Sequence, residues 1–184
     1  QCYYQATMYG DCTMSTLSVN NIIEKTTNAG VKIPGHPIQT VTGEYSTASS
    51  TTSTSAVQMW SGTSITPKFS TSLIHVQVNW YAVHHDYYDG YIQLAKNGSL
   101  HNQMIVVRNA AHTGSGFVAA GSRGFWYCPI WTWNFTESAG STNQITYSIY
   151  GWTQNAGHPL YWNQAPSNAN VTPTSTMILT EIAQ

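Results

Sequence analysis

A chain of 184 residues is long enough for one domain with a real core and short for two independent ones. Asp, Glu, Lys and Arg make up only 7% of it, where a soluble domain ordinarily carries about 25%, while Ser and Thr number 43 and Asn and Gln 24. Six basic residues spread over the whole length exclude a phosphate-tracking patch, and with it nucleic acid as a partner. A hydrophobic content of 41% with 12% aromatics argues for a packed domain rather than a disordered one. No apolar run reaches the roughly 18 residues of a membrane span, so no membrane insertion is expected. The chain opens at Gln1 with no basic stretch ahead of an apolar run, so a secretory signal is expected to be absent or already removed. A formal net charge of −1 leaves little repulsion between copies, which favours an assembly subunit or a binder of neutral glycans.

The first 35 residues read as an arm or docking segment, because nothing there repeats with a core-building period. Cys2 and Cys12 are the one local pair able to close a short disulfide loop, against the alternative of two free thiols. Ser18 to Lys25 is the one candidate helix, weakened by its β-branched and Asn content. Pro34-Gly35 marks a turn, and from there to residue 184 the signals are those of a β domain. His36 to Tyr45 reads as a strand, the Ser/Thr run 46–55 as a partial strand, and Ala56 to Thr66 as one or two more. Leu73 to Val83 is the clearest element. Ile74, Val76, Val78, Trp80 and Ala82 fall on one face, and His75, Gln77, Asn79 and Tyr81 on the other.

Tyr91 to Lys96 and Leu100 to Arg108 flank Asn97-Gly98, a dipeptide that accepts positive φ at both turn positions and so predicts a tight hairpin. Residues 110–124 read as a Gly-rich loop. Phe125 to Phe135 is an aromatic strand that Pro129 confines to an edge or a bulge, with Cys128 as a small buried hydrophobe. Gln144 to Trp152 alternates, with Ile145, Tyr147 and Ile149 on one face. Leu160-Tyr161-Trp162 is a short piece within the long loop 154–170. Thr174 to Ile182 closes the chain, with Met177, Leu179 and Ile182 set against Ile178 and Thr180. About eight strands without a convincing helix predict an all-β fold: an antiparallel β-sandwich, jelly-roll-like, over residues 36–184, with an extended N-terminal arm over 1–35.

Several ordered motifs carry a resemblance. They are Met14-Ser15-Thr16-Leu17 with Val19-Asn20-Asn21-Ile22, and the run Val31-Lys32-Ile33-Pro34-Gly35-His36-Pro37-Ile38-Gln39. Ile65-Thr66-Pro67 before Ser72-Leu73-Ile74-His75-Val76 follows, then Leu94-Ala95-Lys96-Asn97-Gly98 and finally Ser175-Thr176-Met177-Ile178-Leu179-Thr180-Glu181-Ile182. In this order the chain from about residue 14 onward resembles small virion-surface proteins of tailed bacteriophages, especially cyanophages. Residues 1–13 precede the family-like start. The resemblance implies a non-enzymatic structural subunit, trimeric, on a capsid as a decoration or head-fibre protein or on a tail as a fibre component. Its expected location is the surface of an extracellular particle, with other virion proteins met through the arm.

Chemistry-bearing clusters are few. His84, His85, Asp86, Tyr87, Tyr88 and Asp89 combine imidazoles and carboxylates able to ligate a metal. Adjacent strand side chains diverge, however, and Asp-rich turns usually bond their own backbone, so a turn and contact surface is the favoured reading. The seven acids read as scattered surface charges rather than a glycosidase pair, and neither a nucleophile elbow nor a phosphate loop is present. Catalytic, cofactor-binding and metal residues are all expected to be none. Trp126, Trp131, Trp133, Trp152 and Trp162 exceed what one small sandwich comfortably encloses, so Trp126, Trp131, Trp152 and Trp162 are candidate interface contacts. In the alternative reading they contact a glycan or receptor on a host surface.

Overall fold

Period-two patterning in a chain without helix signals leaves strands to pair until their apolar faces are covered, and the computed structural model shows how they do so. It describes residues 33–84, 89–107, 130–164 and 172–184. Ten strands form: β1 (Pro37–Tyr45), β2 (Ser49–Thr51), β3 (Val57–Ile65), β4 (Leu73–His84), β5 (Gly90–Lys96), β6 (Ser99–Val107), β7 (Ile130–Ser138), β8 (Ile145–Thr153), β9 (Leu160–Trp162) and β10 (Ser175–Ile182). No helix occurs among the described residues.

β4 is the centre of one sheet. It pairs antiparallel with β7 along one edge and with β10 along the other, and β10 in turn pairs with β1. Beyond the start of β10, β9 takes over beside β4 and carries β2 outside it. The handover occurs at Tyr81, whose amide donates to Ser175 Oγ at 3.1 Å and whose carbonyl accepts from the Asn163 amide at 3.0 Å. The second sheet runs β3-β8-β5-β6. With β1-β10-β4-β7 facing β3-β8-β5-β6, every connection between the eight long strands crosses between sheets except the β5–β6 hairpin. That wiring is a jelly roll.

The wiring also sorts the connections. The strand ends joined by residues 46–56, 85–89, 108–129 and 154–174 lie at one end, as the pairings Gly90↔Val107, Gly90↔Thr153, Tyr81↔Ile130 and His84↔Leu160 require. The opposite end holds the short links 66–72, 97–98 and 139–144. Asn97-Gly98 makes the tight hairpin its composition predicts, with φ of 51° and 79°. Gly62, at φ 85°, sits where β3 bulges against β8, and a Cβ there would lie 1.5 Å from the Tyr147 carbonyl oxygen.

The core is the expected set. Ile74, Val76, Val78, Trp80 and Ala82 of β4 are fully buried against Ile92, Leu94, Ile145, Tyr147 and Ile149 of the other sheet. Tyr45, Trp60 and Trp80 pack as near-parallel rings with centroids 5.7 to 6.1 Å apart, tying β1, β3 and β4 together. Trp80, Trp133 and Trp162 bury their indole Nε1 without a hydrogen-bond partner, so burial of ring area outweighs three unpaired donors.

One face assignment is corrected. Alternation along β10 holds strictly, so Glu181 turns inward and Ile182 outward. The carboxylate can enter because the amides of Lys68 and Phe69 and the Gln39 side chain meet it at 2.6 to 3.1 Å. Pro129, on which the edge-or-bulge expectation rested, lies outside the described residues; among those described, β7 pairs with β4 alone. Residue 35, the expected arm boundary, falls in a turn where the Gly35 amide donates to the Ala183 carbonyl at 2.8 Å and the Ala183 amide to that of His36 at 3.0 Å. Residues 1–32 of the expected arm, including the Ser18–Lys25 segment, lie outside the described residues, as do Cys128 and residues 110–124.

Candidate functional site

The His84–Asp89 cluster joins β4 to β5 at the end with the longer connections. His84 is the last residue of β4, opposite Leu160. Asp89 is fixed by its backbone: its carbonyl accepts from the Gln154 amide at 2.8 Å and its amide donates to Gln154 Oε1 at 3.2 Å. His85, Asp86, Tyr87 and Tyr88 lie outside the described residues, as do Trp126, Cys2 and Cys12. Among the described residues no three His, Cys, Asp or Glu side chains gather as a metal site would need.

The candidate tryptophans separate by strand parity. Trp162 of β9 turns inward beside Ala82 and is a core residue. Trp131 of β7 packs half-buried on the core and donates its indole Nε1 to the Ala82 carbonyl at 2.8 Å. Trp152 of β8 faces out and stacks on Tyr91 with ring centroids 5.2 Å apart.

The strands hold four acidic or basic residues, Glu44, Lys96, Glu137 and Glu181, and three of them are turned inward. Glu137 enters from edge strand β7. Its Oε1 takes the Tyr147 hydroxyl and lies 2.9 Å from Lys96 Nζ, while Oε2 lies 3.3 Å from His101 Nε2. Burial pushes this carboxyl up, but the Tyr147 hydroxyl and the Lys96 ammonium outweigh it, with His101 adding to them, and hold it below the ordinary carboxylate value. Burial, then the bond to Glu137, pushes the Tyr147 phenol well above its ordinary value. Glu181 behaves alike: burial raises it, and the Lys68 amide, the Gln39 side chain and the Phe69 amide bring it below the ordinary value. A general acid or base needs a lone pair or proton free to reach a substrate. Both carboxylates are instead occupied by protein donors, and each joins parts of the sandwich.

What remains outward is almost uncharged. On the β1-β10-β4-β7 face, Thr40, Thr180, His75 and Thr136 form one cross-strand row, and Glu44, Thr176, Asn79 and Thr132 another. Hydrogen bonds run along them: Thr40 to Thr180 and His75 Nδ1 to Thr136 at 3.1 Å, and Thr132 to Asn79 at 3.1 Å. Among the described residues, Glu44 is the one Asp, Glu, Lys or Arg side chain on either outer strand face.

The β3-β8-β5-β6 face is polar along β3, with Gln58 and Ser64 outward, and from β8 to β6 it mixes apolar and aromatic side chains with Thr146, Ser148, Gln93 and Asn102. Tyr91 lies between Val106 and Trp152, Gln93 between Met104 and Tyr150, and Ala95 between Leu100 and Ser148. Leu100 is 49% exposed and Met104 48%. This grouping was hidden in the sequence because β6 is apolar on both sides, with Ile105 and Val107 inward and Leu100, Met104 and Val106 outward. Registering β6 from the Asn97-Gly98 turn was the signal able to expose it.

Comparison with known proteins returns little. No family model matches the chain, and no curated protein does. Among solved structures, similarity is found to infectious bursal virus-derived T=1 particles, with 11% identity, a TM-score of 0.36, 89% of this chain and 41% of that chain covered. It is found also to the infectious bursal disease virus VP2 subviral particle, with 14% identity, a TM-score of 0.32, and 89% and 42% covered. The chain thus spans about two-fifths of the length of these chains. At such TM-scores the likeness carries no functional argument.

Proposed function

We propose that this chain is a non-enzymatic structural protein of a phage-like virion, standing on the particle surface as a capsid decoration protein or a tail-fibre component and assembling as a trimer. The observation that carries the reading is the placement of charge. Three of the four charged residues on the described strands are turned inward, Lys96 and Glu137 as an ion pair and Glu181 on amide donors, and the outer faces of those strands keep only Glu44. A protein held soluble as a monomer gains from surface charge, whereas a subunit covered by neighbours would have to desolvate it. The ordered motifs that resemble phage virion-surface proteins support the same reading. So does the entry of the chain at Ile33–His36, at the end with the short links. The strand ends that carry the longer connections lie at the end opposite that entry, and residues 1–35 act as the docking segment on a capsid or tail partner.

Labelling the chain on intact particles and locating it by electron microscopy tests this. Signal on the capsid lattice or on the tail supports the proposal, and absence of the chain from purified particles refutes it. A second reading rests on one specific observation. The Tyr91–Trp152 stack, flanked by Gln93 and Tyr150, offers aromatic and amide groups of the kind that bind neutral sugars on a host surface. Binding on a glycan array that is lost in Trp152→Ala supports that reading, and an array without binding removes it.

A further inference from the structure

We infer that the outer face of the β3-β8-β5-β6 sheet, from β6 across β5 to Trp152 of β8, is the surface on which a second copy of this chain docks; the inference rests on the assembly reading above and assigns its contact. Three observations converge on this face. First, all three large aliphatic side chains of β6 that point outward, Leu100, Met104 and Val106, are more than a third exposed, and the next strands continue the patch with Tyr91, Tyr150 and Trp152. Asn102 and Gln93 interrupt the patch, but exposed aliphatic side chains grouped beside aromatic rings still mark a protein contact.

Second, β6 is an edge strand that pairs with β5 alone among the described residues. Exposed edges are usually guarded by lysine, proline or an inward-pointing charge. The sequence of β6, SLHNQMIVV, has no lysine or proline, and its one ionisable side chain, His101, is held on the core side against Glu137 at 3.3 Å rather than guarding the edge. A register shift opposite Gln93 and Ala95 breaks the β5–β6 ladder, and among the described residues no strand pairs with the outer edge of β6.

Third, charge selects the occupant. The strand positions of this face carry no Asp, Glu, Lys or Arg. A charged partner would lose hydration there and find no counter-charge. A copy of the same chain presents neutral strand faces and bears a net charge of only −1, so it can close over the patch without burying an unpaired ion. Leu, Met and Val beside the aromatic stack also favour a protein over a sugar, whose hydroxyls find few partners among aliphatic side chains.

The test uses the full chain in native mass spectrometry and sedimentation, with Met104→Glu and Leu100→Lys placed on the face. Asn134→Glu on the outer face of β7 serves as control, and circular dichroism confirms that each variant is folded. Self-association weakened about tenfold or more in both face variants and unchanged in the control supports the inference. So does a chain-to-chain disulfide formed by Met104→Cys. Association that survives both face variants overturns the assignment while leaving the assembly reading in place. A wild-type chain that stays monomeric at about 100 µM overturns both. A face that remains open in the oligomer and binds neutral polysaccharide through Trp152 overturns the inference in favour of the glycan reading.

Discussion

Tyr147 on β8 donates its hydroxyl to the Glu137 carboxylate on β7, joining the two sheets of the sandwich through a bond between an otherwise buried phenol and an inward-facing acid. Lys96 and His101 complete the group from β5 and β6, so one carboxylate touches three strands of the opposite sheet. Removing the hydroxyl leaves the carboxylate short of one donor in a half-buried site. Tyr147→Phe is therefore expected to lower stability by about 1–3 kcal/mol in denaturant titration, with the strand content in far-ultraviolet dichroism unchanged. Glu137→Gln is expected to cost less than Glu137→Ala, because the amide oxygen still accepts from Tyr147.

Acid should loosen the sandwich through the same carboxylates. Glu137 and Glu181 both sit below the ordinary carboxylate value when folded, and burial, the largest influence on each, is overcome by the donors around them. A folded value below the unfolded one means that the stabilisation is fully present above the unfolded value of about 4.3. It is lost as pH falls through the folded values. The thermal midpoint should hold between neutrality and about pH 5 and fall steeply below about pH 4. Glu181→Gln should start lower at pH 7 and show a shallower fall. A wild-type midpoint that stays flat down to pH 2 would contradict this assignment.

Most of the fold was legible because the strong signals were local. The alternation of Ile74 to Ala82 and the Asn97-Gly98 turn depend on neighbouring residues alone, and the structure keeps both. Glu181 was misread because a carboxylate opposes burial on every sequence scale, and its three donors come from residues more than 110 positions away. The candidate surface was hidden for a related reason. Trp152 stood out as a tryptophan, but Tyr91, Met104 and Val106 join it only across three paired strands, and the second half of β6, Met104 to Val107, is apolar on both faces. Long-range register, absent from any short window, decides which of two hydrophobic faces looks outward.

The indoles give a comparative prediction. Trp133 is buried with its Nε1 unpaired, whereas Trp131 donates to the Ala82 carbonyl at 2.8 Å. Replacing either ring with phenyl removes apolar contact, yet only the change at Trp133 also removes an unsatisfied donor. Trp133→Phe is expected to cost no more than about 1.5 kcal/mol, and less than its deep burial alone suggests. Trp131→Phe, although more exposed, should cost at least as much. Parallel urea titrations of the two variants check the ordering.

Asn163 holds the point where the end of β9, at Trp162, meets the start of β10, at Ser175, beside β4. Its Nδ2 donates to the Tyr45 carbonyl at 2.8 Å, its Oδ1 accepts from Ser175 Oγ at 2.6 Å, and its amide donates to the Tyr81 carbonyl at 3.0 Å. The residue is fully buried at φ 49°, a left-handed conformation that asparagine tolerates better than most side chains. Two separable effects are therefore expected. Asn163→Ala loses the side-chain bonds, including a longer one from Nδ2 to the Thr47 carbonyl, and strains the backbone, for about 2–4 kcal/mol in all. Asn163→Gly loses the same bonds but keeps the conformation, so it should be the milder change by about 1 kcal/mol. Equal losses in the two variants would mean that the bonds alone matter. With the staple gone, hydrogen exchange should rise first in β2 and β9, whose three-residue ladders have little else to hold them in register with Tyr81 and Ser175.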